Sequence, residues 1–231
     1  MQTVLITGAN RGLGLEFCRQ YLQSGWRVIA TCRQPAAAKA LNDLARHHRD
    51  LQVYNLDVAD FSQIDALSGS LAELDLDVLL NNAGVYSDVS ENGFGRLDYP
   101  AWSEAFWVNS MAPVKLAEAF LPQIKRGRKK LIVSVSSLMG SITDNTSGGS
   151  LQYRSSKAGL NAAMKSLAID LRRQDIAVLI LHPGWVRTDM GGKNALIDVD
   201  ESVAGMRRCI DEFTLAQSGS FLKYDGTPLP W

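Results

Sequence analysis

The sequence predicts an α/β protein, a single doubly wound domain with one parallel sheet and helices on both of its faces. Three observations predict it. Short apolar runs recur along the chain, helix-length stretches separate them, and a glycine-rich turn joins the first run to the first such stretch. Apolar runs bounded by turn residues suit strands buried on both faces, as parallel sheets require. Alternation with helices makes each connection a crossover, and right-handed crossovers gather the loops that follow the strands on one carboxyl edge, where ligands of such sheets bind.

The elements follow in order. Val4-Leu5-Ile6 is the first strand, and the turn Thr7 to Gly14 leads into a helix over 12–24. Trp26 to Ala30 is the second strand, with a helix over 36–48 behind it. Leu51 to Tyr54 and Val78-Leu79-Leu80 are the third and fourth, and a helix spans 101–125. Leu131-Ile132-Val133 is the fifth, followed by a helix over 151–174, and Ala177 to Leu181 is the sixth. No repeat or low-complexity segment interrupts the pattern, and Ser147-Gly148-Gly149-Ser150 sits inside it, so 1–231 reads as one domain. Residues 184–196 are glycine-rich and aperiodic, which marks a mobile substrate loop.

Composition narrows the partners. With 24 Lys+Arg against 24 Asp+Glu the net charge is zero, so the chain lacks the positive field of a nucleic-acid binder. The basic run Lys125 to Lys130 has no interleaved aromatics and reads as a solvated loop. No apolar run reaches the roughly 18 residues of a membrane span, and the start of the chain has no leader pattern. Cys18, Cys32 and Cys209 are odd in number and far apart, which suits a reducing cytoplasm. His47, His48 and His182 have no partner at ligand spacing, so no metal is expected.

The turn Gly8-Ala9-Asn10-Arg11-Gly12-Leu13-Gly14 lies between strand and helix, the setting a dinucleotide site needs. Glycines allow close approach, and the free N–H groups and dipole at a helix start favour a pyrophosphate. The spacing is neither G-x-G-x-x-G nor a P-loop, and the turn alone is equally a tight turn without a ligand. After the second strand comes Thr31-Cys32-Arg33, with no carboxylate for a ribose 2′-hydroxyl. Arg33 and Arg11 could instead pair with a 2′-phosphate, which points to NADP(H) over NAD(H).

Beyond the fifth strand stands Ser137, and sixteen residues later Tyr153 opens the long helix with Lys157 four positions on. That spacing puts phenol and ammonium on one helix face, where the positive charge is expected to lower the phenol's pKa.

Taken together, Thr7-Gly8-x3-Gly12-x-Gly14, Asn81-Asn82-Ala83-Gly84, Asn109, Ser137, Tyr153-x3-Lys157 and Pro183-Gly184 resemble the short-chain dehydrogenase/reductase family over nearly the whole chain. The segments 140–149 and 221–231 resemble its carbonyl-reductase branch of sniffer-type and C-factor-like proteins. The resemblance implies a Rossmann-type fold and a hydride exchange between NADP(H) and a carbonyl or alcohol. It implies Tyr153 as general acid, Ser137 as donor to the carbonyl oxygen, Lys157 as a charge and ribose ligand, and Asn109 as part of a water-linked proton relay. The implied cofactor contacts are the turn residues Gly8, Asn10, Arg11, Gly12, Leu13 and Gly14, with Arg33, Asp57, Val58, Asn82, Ala83, Gly84, Tyr153, Lys157, Pro183, Gly184, Val186 and Thr188. Ser136 adjoins Ser137, but alternation along a strand allows only one to reach substrate, and Ser137 has the family's place. Tyr86, Phe94, Met139, Trp185 and Met190 are candidate pocket walls. Ala158, Gly159, Ala162 and Ala163 would let another helix approach the Tyr153 helix, as in a homodimer or homotetramer. A dinucleotide-binding regulatory protein with incidental turnover is the alternative reading.

Overall fold

A computed structural model describes residues 1–88 and 93–231. Seven strands form one sheet: β1 (Thr3–Thr7), β2 (Arg27–Cys32), β3 (Leu51–Asn55), β4 (Val78–Asn81), β5 (Leu131–Val135), β6 (Ala177–His182) and β7 (Ser220–Lys223). Their order is β3-β2-β1-β4-β5-β6-β7, with every neighbouring pair parallel. The chain leaves β1 in one direction and returns at β4 on its other side. That reversal opens a crevice beyond the carboxyl ends of β1 and β4.

Strand alternation divides the core. Val4 and Ile6, Val28 and Ala30, and Leu179 and Leu181 face a layer of α1 (Gly12–Gln23), α2 (Lys39–His47) and α8 (Val199–Glu212), which contribute Phe17, Leu41 and Met206. Leu5, Ile29, Leu79 and Ile180 face the other way, onto α3 (Phe61–Ser70), α5 (Ala112–Ala119), α6 (Leu121–Arg126) and α7 (Leu151–Asp170). The inner strands β1, β2, β4, β5 and β6 are therefore buried on both faces, which is why they read as apolar runs, while the edge strands β3 and β7 are partly exposed.

The expected helix over 101–125 is four pieces: α4 (Tyr99–Phe106), a π-helical turn at Trp107–Met111, then α5 and α6. Pro113 and Pro122 have no N–H to continue the ladder. The helix expected over 151–174 stops at Asp170, and 172–174 is a 3-10 turn. Gly159 lets α4 itself lie close to α7, since a methyl group there would stand 3.1 Å from the Phe106 ring. The basic run is also more than a solvated loop. Arg126 pairs with Asp75, Lys129 donates to the Asp211 carbonyl at 2.9 Å, and the Arg128 and Lys129 amides bind the buried Asp77 carboxylate. Among the described residues no helix is long and apolar enough to cross a membrane.

Candidate active site

The crevice is a cleft of about 450 Å³ running along the carboxyl edge of the sheet. Its wall holds Gly8, Asn10, Arg11, Gly12, Leu13 and Gly14, with Arg33, Asp57, Val58, Asn82, Ala83, Gly84, Tyr153, Lys157, Pro183 and Thr188. Sequence spacing alone scatters these over 180 residues, and the switch in strand order collects them.

At one end the glycine turn packs too tightly for side chains. A methyl group on Gly14 would stand 2.2 Å from the Gly8 carbonyl oxygen, and Gly8, at φ +66°, lies against Ala83. The Asn82 amide ties the arrangement down, donating to the carbonyls of Thr7 at 2.9 Å and Gly8 at 3.2 Å, so its side chain holds the turn. The start of α1 has no side-chain cap and no acid in its first turn. With its opening residues on the cleft wall, that helix end suits a pyrophosphate, and Arg11 and Arg33 lie at the same end. The residues present therefore fit a dinucleotide.

At the other end stands Tyr153, buried on the first turn of α7. Burial pushes its pKa up to about 12, the Ser137 hydroxyl pulls it back by hydrogen bonding, and Tyr86 raises it. The expected lowering by Lys157 is not what dominates. The ammonium lies 5.8 Å from the phenol ring's centre and donates to the Val135 carbonyl at 2.9 Å, and burial brings its own pKa down to about 8. Ser137 Oγ accepts the Met139 N–H at 3.1 Å, which leaves the hydroxyl proton free to donate. Ser136 Oγ is committed to Asn161 Oδ1 at 2.6 Å, so of the two serines Ser137 is the one with a hydroxyl proton left to donate, although Ser136 and not Ser137 is on the cleft wall.

Asn109 lies behind the wall, in the π-helical turn. Its amide clamps Val85 at both backbone atoms, at 2.9 Å each, and donates to Ser156 Oγ at 2.9 Å. Its carbonyl faces position 113, where proline supplies no N–H, so that oxygen is released from the α-helical ladder. Gly184 and Val186 are not on the wall. Gly184, at φ +85°, closes against Ile197 and Tyr224, and Val186 bridges to Ile197, so both shape the loop that carries Thr188.

That loop, 184–196, is tied internally: the Trp185 indole donates to the Gly191 carbonyl at 2.7 Å and Arg187 to the Ala195 carbonyl at 2.9 Å. Of the candidate pocket residues, Met190 is on the cleft wall and the Tyr86 ring lies 4.8 Å from that of Tyr153, while Phe94 is 96% exposed. The wall also contains Cys32, Val85, Val135, Arg187 and Asp189. Cys32 and Val135 end strands whose carboxyl edge was legible, but nothing in the spacing singles out Asp189, which pairs with Arg11 across the cleft. Among the described residues no group of three or more His, Cys, Asp or Glu side chains is placed to hold a metal.

The family model for short chain dehydrogenase matches residues 2–196. The C-signal protein of Myxococcus xanthus is 42% identical over 156 residues, which is 68% of this chain and 93% of that protein. Among solved structures, the carbonyl reductase Sniffer of D. melanogaster is 37% identical with a TM-score of 0.92, covering 100% of both chains. An NADPH-bound carbonyl reductase from chicken fatty liver is 35% identical with a TM-score of 0.93, covering 100% of this chain and 99% of that one. A glycine turn on a seven-stranded parallel sheet, a Ser-Tyr-Lys set beyond β5 and a family match over most of the chain have one explanation: this chain belongs to the short-chain dehydrogenase/reductase family of oxidoreductases.

Proposed function

We propose that the chain is an NADP(H)-dependent carbonyl reductase that exchanges a hydride between the nicotinamide and a carbonyl or alcohol substrate. The observation that carries the reading is one cleft with Arg11, Arg33 and the open start of α1 at one end and the buried Tyr153 with Lys157 at the other. Arg33 has no acidic partner among the described residues, as a ligand for a 2′-phosphate requires. Asp57, Val58 and the 82–84 segment would flank the cofactor, and Thr188 would hold its carboxamide. The bound nicotinamide supplies the hydride.

Negative charge then develops on the carbonyl oxygen. Ser137, its lone pair occupied by Met139, donates to that oxygen, and Tyr153, protonated throughout the neutral range, delivers the proton. Lys157 supplies positive charge behind the phenol and a donor for a ribose hydroxyl, and the Asn109 carbonyl, to which Pro113 has no N–H to offer, would hold a water in the relay that restores the proton. Met190 on the cleft wall and Tyr86 against the Tyr153 ring give the substrate end an apolar character, which favours an uncharged carbonyl. The cytoplasm and a homodimer or homotetramer belong to the same reading.

The likeness to C-signal favours a second reading, a dinucleotide-binding regulator. A pure sensor has no need of a buried tyrosine with a lysine behind it and a serine with a free hydroxyl proton, so the Ser137, Tyr153 and Lys157 set weighs against it. The deciding experiment follows NADPH and NADH oxidation against ketones, aldehydes and quinones, with Tyr153→Phe beside wild type. Turnover that prefers NADPH and falls at least about a hundredfold in the variant, with NADPH binding retained, is expected. Binding without turnover of any carbonyl would transfer the assignment to the regulator.

A further inference from the structure

The start of α7 is built in an unusual way. Its N-cap residue, Ser150, has left-handed backbone angles, φ 42° and ψ 47°, and its side chain caps nothing. The hydroxyl turns away to Tyr86 Oη, 2.8 Å distant. No acid lies in the first turn. The first N–H groups of any helix lack partners within it, and one of these belongs to Tyr153 itself. They are satisfied from elsewhere in the chain. Asp88 Oδ2 accepts the Tyr153 N–H at 2.7 Å, and Oδ1 accepts the Gln152 N–H at 3.2 Å.

We propose that Asp88 is a positioning residue for the reaction, a cap supplied from the β4–α4 connection that fixes the backbone from which the Tyr153 phenol projects. The inference rests on Tyr153 being the general acid. One carboxylate holds two adjacent amides, and the Tyr86 ring, two residues earlier, packs on the Tyr153 ring at 4.8 Å. The same segment is fixed at its other end, where Val85 is held through both backbone atoms by Asn109, and Ala83 abuts Gly8 of the cofactor turn. The stretch 83–88 thus runs from the cofactor wall to the helix that carries the acid. The placement of the phenol depends on it, and a shift of about 1 Å at a reacting group can cost a hundredfold in rate.

The test compares Asp88→Ala and Asp88→Asn with wild type in the full chain, by steady-state turnover of NADPH with the best carbonyl of the panel, NADPH affinity, and amide exchange over 151–154. Asparagine has one acceptor oxygen and can keep the shorter bond to the Tyr153 N–H but not the Gln152 bond as well, whereas alanine keeps neither. In Asp88→Ala kcat is expected to fall about tenfold or more with NADPH affinity unchanged, and exchange at 152 and 153 to accelerate. Asp88→Asn, which can keep the Tyr153 bond, is expected to recover most of the lost kcat and to slow exchange at 153 more than at 152. Wild-type kcat in Asp88→Ala, unchanged exchange at 152 and 153, or an Asp88→Asn loss as deep as the alanine loss overturns the proposal. If wild type turns over no carbonyl, the reductase reading fails on its own, and the exchange data still decide whether Asp88 holds the helix start.

Discussion

The Lys157 ammonium is buried and donates to the Val135 carbonyl, and burial disfavours its charged form and brings its pKa from 10.5 to about 8. The unfolded chain keeps this proton up to the ordinary lysine range, while the folded chain releases it near 8. Between those values the unfolded state binds more protons, so this residue makes stability rise with pH across that window. Its destabilising effect is present in full below about pH 8 and is gone above about 10.5. Lys157→Met keeps the aliphatic stem without the charge. The stability difference between variant and wild type is therefore expected to change by about 3 kcal/mol in favour of wild type from pH 8 to 10.5, read by urea unfolding at stepped pH. Parallel pH curves for the two proteins would contradict a buried, depressed lysine. At neutral pH the cost is tolerated because the charge sits behind the phenol, where the proposed chemistry uses it.

Among the elements, the 3-10 turn Leu138–Gly140 that follows β5 sets the distance between Ser137 and α7. A methyl group on Gly140 would stand 2.9 Å from the Lys157 carbonyl carbon and 3.0 Å from its oxygen. Those are backbone atoms of a packed helix, so they cannot swing aside as a side-chain tip would. Gly140→Ala is expected to cost about 1–3 kcal/mol of stability and to separate Ser137 from Tyr153. Its kcat should fall about tenfold or more with NADPH affinity kept, as read by thermal unfolding and turnover. Full activity would mean that the turn and α7 do not act as one unit. This contact also marks how far the sequence is legible. Six strands and the long helices announce themselves through apolar runs and spacing, because each is determined by residues close in sequence. α3, α8 and the edge strand β7 do not: β7 is half-buried and carries Ser220 and Lys223 at its ends, and α3 is held by an Asp60 cap as well as by its apolar face. The division of 101–125 into helices with a π-helical turn was signalled only by two prolines. The approach of Gly140 to Lys157 had no local signal at all.

Across the whole molecule, the candidate site was legible to the extent that its residues form short motifs, and illegible where distant segments meet. Gly8 to Gly14 and Tyr153-x3-Lys157 are compact patterns. Asp88 reaches Tyr153 over 65 residues, and Asp189 reaches Arg11 over 178, through contacts that only the fold creates. The second of these spans the mouth of the cleft and joins the loop after β6 to the glycine turn after β1. Both partners are largely exposed, 69% and 77% by side chain, so the pair adds little to stability. Its consequence lies in competition. The Asp189 carboxylate occupies the guanidinium that a cofactor phosphate would use, so cofactor binding must displace or share it. Asp189→Asn is accordingly expected to tighten NADPH binding by about threefold to tenfold at low ionic strength. The gain should shrink toward nothing as salt rises past about 0.5 M, because exposed charges are then screened, and the unfolding temperature should stay unchanged. Fluorescence titration with NADPH over a salt series measures this directly. Weaker binding in the variant would instead make the pair a latch that holds the loop over the bound cofactor, since a latch and a competitor act on the same equilibrium with opposite sign.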